Sequence, residues 1–298
     1  MRLAAIDIGS NAARLLISDV IPGAKLTPEF LKVALVRVPL RLGFDVFDTG
    51  EISAERSENM IKTIQSYKLL MDVYGVKHLK ACATSAMRDA SNGPELIQRV
   101  KDETGIEISI ISGQEEASFI YENHFAEGLT TESSYLYIDV GGGSTELTFF
   151  SDGKLVFKES FNIGTIRLLK NQVAEESWEE LREFIKTRTK GFPHVAAIGS
   201  GGNINKIFSI SKRKEGKPLS LELLRDYYKE FSILSLAERM SLYKLKEDRA
   251  DVIVPALLIY INVMRWADAE DIFVPKIGLA DGLIHTLYEE VKMRKIEA

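Results

Sequence analysis

The sequence holds a single cysteine, Cys82, so no intrachain disulfide can form, and a reducing compartment is the expected setting. Its four histidines, His78, His124, His194 and His285, are scattered, and no His/Cys set has the spacing of a zinc site. No apolar run is long enough to span a bilayer. The longest, "VIVPALLIYINVM" from Val252 to Met264, is interrupted by Pro255 and Asn262, which predicts a buried helix. The opening "MRLAAIDIGS" does not read as a signal peptide, because its apolar run stops at Asp7. A cytoplasmic protein with no membrane partner is therefore expected. The net charge of −5 means that the molecule as a whole does not attract polyanions. DNA is not an expected partner, and any binding of phosphate-rich molecules must come from local groups.

What is present is enough apolar residue, 45% of 298, to build one large core or two ordinary ones. Two stretches repeat each other. "IDIGSNAARLLISD" begins at Ile6 and "IDVGGGSTELTFFSD" at Ile138. Both read apolar, Asp, apolar, Gly, a small polar turn, and a second apolar run ending in Asp. A strand-turn-strand unit recurring once in each half predicts a duplicated architecture. Further strands are predicted at 30–40, 79–83, 107–111, 155–161 and 194–198. Helical spacing predicts helices at 53–74, 95–104, 177–188, 220–231, 249–266 and 279–292. The alternation makes the class α/β. The expected division is 1–124 and 125–298, with a boundary near Asn123 to Ser134 and a last helix that can pack back onto the first half.

The glycines carry the chemistry. Successive N–H groups in a glycine turn form a concavity that binds anions, phosphate above all. Gly141, Gly142 and Gly143 make a wide cradle, and Ser144 and Thr145 add hydroxyls. No Gly-Lys-Ser/Thr triplet occurs, which excludes a Walker loop. "TELTFF" follows the glycines with strand spacing, so the dinucleotide fingerprint, which needs a helix there, is excluded too. Two acids facing one polyphosphate would repel it and each other, and a divalent ion removes that cost. Asp7 and Asp139 are therefore assigned to Mg²⁺, directly or through water. A third glycine turn, "GSGGN" from Gly199 to Asn203, reads either as a phosphate contact or as a strand-to-helix turn capped by Asn203.

"IISGQEEASF" supplies a proton acceptor. Ser112 and Glu115 have capping-box spacing, which explains Glu115 structurally. Glu116 is not used by that cap, and its place in a first helical turn suits either a carboxylate that takes a proton from an attacking water or one that simply favours the positive helix end. Arg14, Arg41 and Arg88 sit beside strand ends or turns, where the guanidinium fork suits phosphate oxygens.

Taken together, "AAIDIGSNAARLLI", "LRLGFDVFDTGEIS", "ATSAMRDASN", "IISGQEEA", "IDVGGGSTEL", "FNIGTIRL", "AIGSGGNI" and "DRADVIVPALLIY" resemble the Ppx/GppA group of exopolyphosphatases and guanosine pentaphosphate phosphatases, over almost the whole chain. The resemblance implies two ribonuclease H-like domains of the actin-like superfamily, each a mixed sheet flanked by helices, around a cleft. It implies that Glu116 is the catalytic base and that Asp139 belongs to the metal and phosphate site. Arg88 and the loop from Asp7 to Asn11, with Ser10, are implied phosphate contacts. The implied activity is Mg²⁺-dependent release of terminal orthophosphate from inorganic polyphosphate, with guanosine pentaphosphate as the alternative substrate; a non-catalytic polyphosphate or alarmone sensor and an ATP-dependent kinase of the same superfamily are the remaining readings, and a homodimer is the expected assembly. The chain departs from the family pattern at Ala12 (usually Ser), Asp45 (usually Gly), Asn203 (commonly Thr) and Ala280 (often Arg). It also ends without the extra helical domains of long members, which implies a less processive hold on long polymers.

Overall fold

The computed structural model describes residues 1–22, 28–125, 134–192, 194–275 and 277–297. The chain divides into two compact units, Met1–Glu127 with Gly278–Ala298, and Gly128–Ile277. Most of the expected boundary loop, 126–133, lies outside the described residues.

The first unit opens with a hairpin, β1 (Arg2–Ile8) and β2 (Ala13–Pro22), and continues through β3 (Pro28–Val38). Helices α1 (Gly43–Thr49) and α2 (Ala54–Tyr74) lead to β4 (His78–Ala83). Then follow α3 (Ser85–Asp89), α4 (Gly93–Thr104), β5 (Ser109–Ile110) and α5 (Gly113–Phe125). The sheet order is β3-β2-β1-β4-β5, antiparallel through the hairpin and parallel from β1 onward.

The second unit repeats the plan. Its strands β6 (Ser134–Val140), β7 (Thr145–Ser151) and β8 (Lys154–Phe161) precede α6 (Thr165–Leu169) and α7 (Glu175–Arg188). Next come β9 (Val195–Ser200), α8 (Gly202–Ser211), β10 (Leu219–Ser220), α9 (Leu221–Ile233) and α10 (Leu236–Tyr243). Then α11 (Glu247–Ala250), α12 (Ile253–Trp266) and β11 (Asp271–Phe273) follow. The order β10-β11-β9-β6-β7-β8 contains β8-β7-β6-β9, the counterpart of β3-β2-β1-β4. This duplicated mixed sheet flanked by helices is the ribonuclease H-like plan expected from the sequence.

The last helix, α13 (Leu279–Glu297), is grouped with the first unit, whereas the sequence division kept 125–298 together. The reason is its apolar face. Leu279, Leu283, Ile284, Leu287 and Val291 are buried against Leu3, Ala5, Leu16 and Val20 of β1 and β2. Ala280 belongs to this core, so the position where many relatives carry Arg is a packing position here. Phe30 stacks on His285, and Lys32 pairs with Asp281 at 2.7 Å.

The second unit has a larger core. β7 is buried at every position, and its Phe149 stacks on Phe157 of β8. Leu181 and Ile185 of α7, Ile204 and Ile207 of α8, Phe231 of α9 and much of α12 close over the sheet. The helix expected over 249–266 is broken, and α12 starts only at Ile253. Pro255 then falls in the first turn, where a missing N–H costs nothing.

Candidate active site: two hairpins with different cross-strand partners

Each unit places its acidic hairpin in the same register. In the first, Asp7 of β1 lies opposite Arg14 of β2 and, on the other side, beside Cys82 of β4. In the second, Asp139 of β6 lies opposite Glu146 of β7 and beside Ser200 of β9. The row in the first sheet runs Arg37, Arg14, Asp7, Cys82, and in the second Ser160, Glu146, Asp139, Ser200. The aspartates are equivalent, but their partners are opposite in charge.

That difference separates their chemistry. Arg14 Nη1 donates to Asp7 Oδ2 at 2.6 Å, and the Asp7 side chain is buried. The sequence reading gave Asp7 to a metal and Arg14 to phosphate; the structure instead pairs them with each other, so the carboxylate already has a cation. In the second row an oxygen of Asp139 and one of Glu146 lie within 4.8 Å, and Glu146 is buried. Like charges directly opposite on a hairpin are destabilising. Two carboxylates so placed are a donor set for a hard divalent cation, which takes oxygen ligands. Ser160 Oγ donates to Glu146 Oε1 at 2.9 Å, the kind of outer hydrogen bond that orients a metal-binding carboxylate. Glu146 went unnoticed in the sequence. The signal was there: it follows Asp139 by the same interval that separates Arg14 from Asp7.

The glycine turn above this pair is braced from behind. Gly141 N donates to Ser144 O at 2.9 Å and closes the turn. The carbonyls of Gly141, Gly142 and Gly143 accept from Thr165 N (3.0 Å), Ile166 N (2.8 Å) and Arg167 Nε (2.8 Å). In a trans peptide the N–H points opposite to the preceding carbonyl. With those carbonyls drawn toward α6, the N–H groups of Gly142, Gly143 and Ser144 are turned away from it, as an anion cradle requires. Gly164 makes this contact possible, because a Cβ there would lie 2.4 Å from the Gly142 carbonyl oxygen.

The first loop is built the same way. Ser10 O accepts from Gly43 N at 2.8 Å and Asn11 O from Arg41 N at 3.0 Å, so the N–H groups of Asn11 and Ala12 face away from that segment. Ser10 Oγ is hydrogen-bonded to Ser85 Oγ at 2.7 Å. Asp45, in the first turn of α1, accepts from Ser53 N and pairs with Arg56 Nε at 2.7 Å, while Arg56 Nη1 holds Leu40 O. Burial pushes the Asp45 carboxyl up, but the bonds from Ser53 and Arg56 outweigh it and hold it below the usual carboxylate range.

Glu116 lies in the first turn of α5 and is 8% exposed. The capping box beside it forms as expected. Ser112 N and Ser112 Oγ each donate to Glu115 Oε2 at 2.8 Å, which lowers the Glu115 pKa, and Glu115 N donates to Ser112 Oγ at 3.2 Å. Glu115 is thus committed to the cap, and Glu116 is the carboxylate turned inward. The Cys82 thiol is pushed well up by burial and then by the negative charges of Asp7 and Glu116, which places both acids near the end of β4. Arg88 Nη1 donates to Ile111 O at 2.7 Å, just ahead of α5, leaving the fork its other donors.

The third glycine turn is packed on Asp139. A Cβ at Gly201, whose φ is +99°, would sit 2.8 Å from Asp139 Oδ1. Asn203 is not the helix cap; Gly201 is, and Asn203 Oδ1 accepts from Arg249 Nη1 at 2.7 Å. The fully buried Tyr260 donates to Ser200 O at 2.5 Å, and its pKa is raised by burial and by Asp139.

Among the described residues, no helix is long and apolar enough to cross a membrane. The family model for Ppx/GppA phosphatases matches residues 24–291. The chain is 26% identical over 305 residues to exopolyphosphatase 1 of Mycobacterium tuberculosis, covering 95% of this chain and 87% of that one. It is 29% identical over 228 residues to a bifunctional 3-dehydroquinate synthase/phosphatase of Fusobacterium nucleatum, covering 71% of this chain and 34% of that one. Among solved structures, the Aquifex aeolicus Ppx/GppA family member superposes with a TM-score of 0.75 at 27% identity, covering 98% of each chain. An exopolyphosphatase from Cytophaga hutchinsonii shares the fold with a TM-score of 0.83 at 24% identity over 97% of this chain and 98% of that one. The chain belongs to the Ppx/GppA phosphatase family.

Proposed function

We propose that the protein is an exopolyphosphatase that releases terminal orthophosphate from inorganic polyphosphate with Mg²⁺. The observation that carries this reading is the Asp139–Glu146 carboxylate pair beneath a glycine turn whose carbonyls are tied back. A close acidic pair beside an anion cradle suits a substrate that brings phosphate and cation together. The relatives named exopolyphosphatase favour polyphosphate as that substrate.

In this reading Asp139 and Glu146 hold the ion, and Asp7, already paired with Arg14, is left out of the metal set. The bound ion would offset the negative charge that grows on the phosphoryl oxygens. Gly142, Gly143 and Ser144 N–H groups bind phosphoryl oxygens in the second unit, and the N–H groups of Asn11 and Ala12 are the first unit's own phosphate donors. Arg88 adds a cationic donor. Glu116 accepts a proton from the water whose oxygen attacks phosphorus. The bond from phosphorus to the bridging oxygen breaks, the electron pair stays on the shortened chain, and orthophosphate leaves. The enzyme is taken as a cytosolic homodimer.

The test is orthophosphate release from short polyphosphate, long polyphosphate and guanosine pentaphosphate, with Mg²⁺ and with EDTA. Polyphosphate should be cleaved only with the ion, and Glu116→Gln should lower kcat by about 10²–10⁴. Background release from both polyphosphates would end the proposal. Release from guanosine pentaphosphate alone would move the substrate to that nucleotide.

A further inference from the structure

The second sheet's polar row has one member without a task. Ser200 is 2% exposed, and its Oγ makes no hydrogen bond among the described residues. Buried hydroxyls are seldom left so, because an unsatisfied one retains its desolvation cost. Its position is fixed from behind, since Tyr260 Oη holds the Ser200 carbonyl at 2.5 Å. The ladder pairs Ser200 with Asp139, and Gly201 packs against Asp139 Oδ1.

The first sheet supplies an internal control. There the equivalent position is Cys82, a buried thiol beside a carboxylate that Arg14 already neutralises. Where the acid has an arginine, its neighbour in the row is a weakly polar thiol. Where the acid faces a second acid, the neighbour is a hydroxyl with unused capacity. A divalent ion such as Mg²⁺ keeps several waters, and each bound water has protons to donate.

We propose that Ser200 Oγ is a binding group for the hydrated cation at Asp139 and Glu146, accepting a hydrogen bond from an ion-bound water. The proposal rests on the metal assignment made above. It makes Ser200 a second-unit determinant of cation affinity alongside Ser160, which acts indirectly by orienting Glu146.

The test is Mn²⁺ binding to the full chain, followed by electron paramagnetic resonance and calorimetry, alongside melting in EDTA. Ser200→Ala should weaken Mn²⁺ by about 10-fold or more, the usual effect of losing an outer-shell partner. In EDTA the same variant should melt at or above the wild-type temperature, because a hydroxyl without a partner is removed. A merely structural serine gives the opposite pair of results: lower melting and unchanged affinity. Ser200→Cys copies the first sheet, keeps the volume, and should fold with similarly weakened Mn²⁺; it decides the matter if the alanine variant misfolds. Wild-type-like affinity in a folded variant overturns the role of Ser200. No Mn²⁺ binding by wild type overturns the metal assignment and the proposal with it.

Discussion

Replacing Glu146 with Gln should stabilise the metal-free protein and disable the metal-bound one. The carboxylate oxygens of Asp139 and Glu146 lie within 4.8 Å, with Glu146 buried and Asp139 partly so. Two unit charges at that separation repel by roughly 3.5 kcal/mol at an effective dielectric of 20, and by roughly 0.9 kcal/mol in bulk water. Glu146→Gln removes that repulsion while keeping the side chain's shape and an oxygen for Ser160 to donate to. A gain of about 1–3 kcal/mol is expected, or roughly 2–10 °C for a unit of this size. Scanning calorimetry in EDTA reads the gain. Adding Mn²⁺ should then raise the wild-type melting temperature and leave the variant unmoved, because binding to the native state alone produces such a shift. If Glu146→Gln melts lower in EDTA, or responds to Mn²⁺ as wild type does, the pair is not an ion site.

Other perturbations follow from the same geometry. Gly164→Ala should cost about 1–3 kcal/mol and reduce phosphate release, since the new Cβ meets the Gly142 carbonyl at 2.4 Å and displaces the cradle; chemical denaturation and rate assays check both. Arg14→Ala strands the buried Asp7 carboxylate and should destabilise by about 1–3 kcal/mol, less than for a fully buried pair, with Mn²⁺ affinity unchanged. Asp45→Asn should destabilise by about 1–2 kcal/mol at neutral pH through weakened bonds to Ser53 and Arg56. The folded-state pKa of Asp45 is depressed, so its contribution is present above the unfolded carboxyl value near about 3.9 and is lost as pH falls through the lower folded value. The gap between wild type and Asp45→Asn should therefore close in acid.

Much of the fold could be read from the sequence because hydrophobic period and turn chemistry agree locally. The two hairpins, α2, α4 and the Ser112–Glu115 cap depend on residues a few positions apart, where spacing is decisive. What was misread depends on longer range. Arg249–Trp266 looked continuous, yet α12 begins after a break at residues 251–252 that puts Pro255 in its first turn. Of the two readings that the sequence leaves open for the third glycine turn, the Asn203 cap does not form, because Arg249 donates to the Asn203 side chain from 46 positions away. Glu116 stands out in the sequence because its neighbour Glu115 is explained by a local motif, the cap on Ser112. Glu146 was missed because its meaning lies in the residue across the ladder, which appears only when the register of the hairpin is known. The same register separates Asp7 from Asp139: alike in their own strands, they differ through Arg14 and Glu146 on the next.

In the proposed reading the second unit's aspartate, not the first's, holds the cation that hydrolysis requires. The most direct measurement is Mn²⁺ affinity and Mn²⁺-dependent orthophosphate release for Asp139→Asn and Asp7→Asn side by side. Asp139→Asn should lose both, while Asp7→Asn should bind Mn²⁺ within a few-fold of wild type. Retained binding in Asp139→Asn, with loss in Asp7→Asn, would contradict the account.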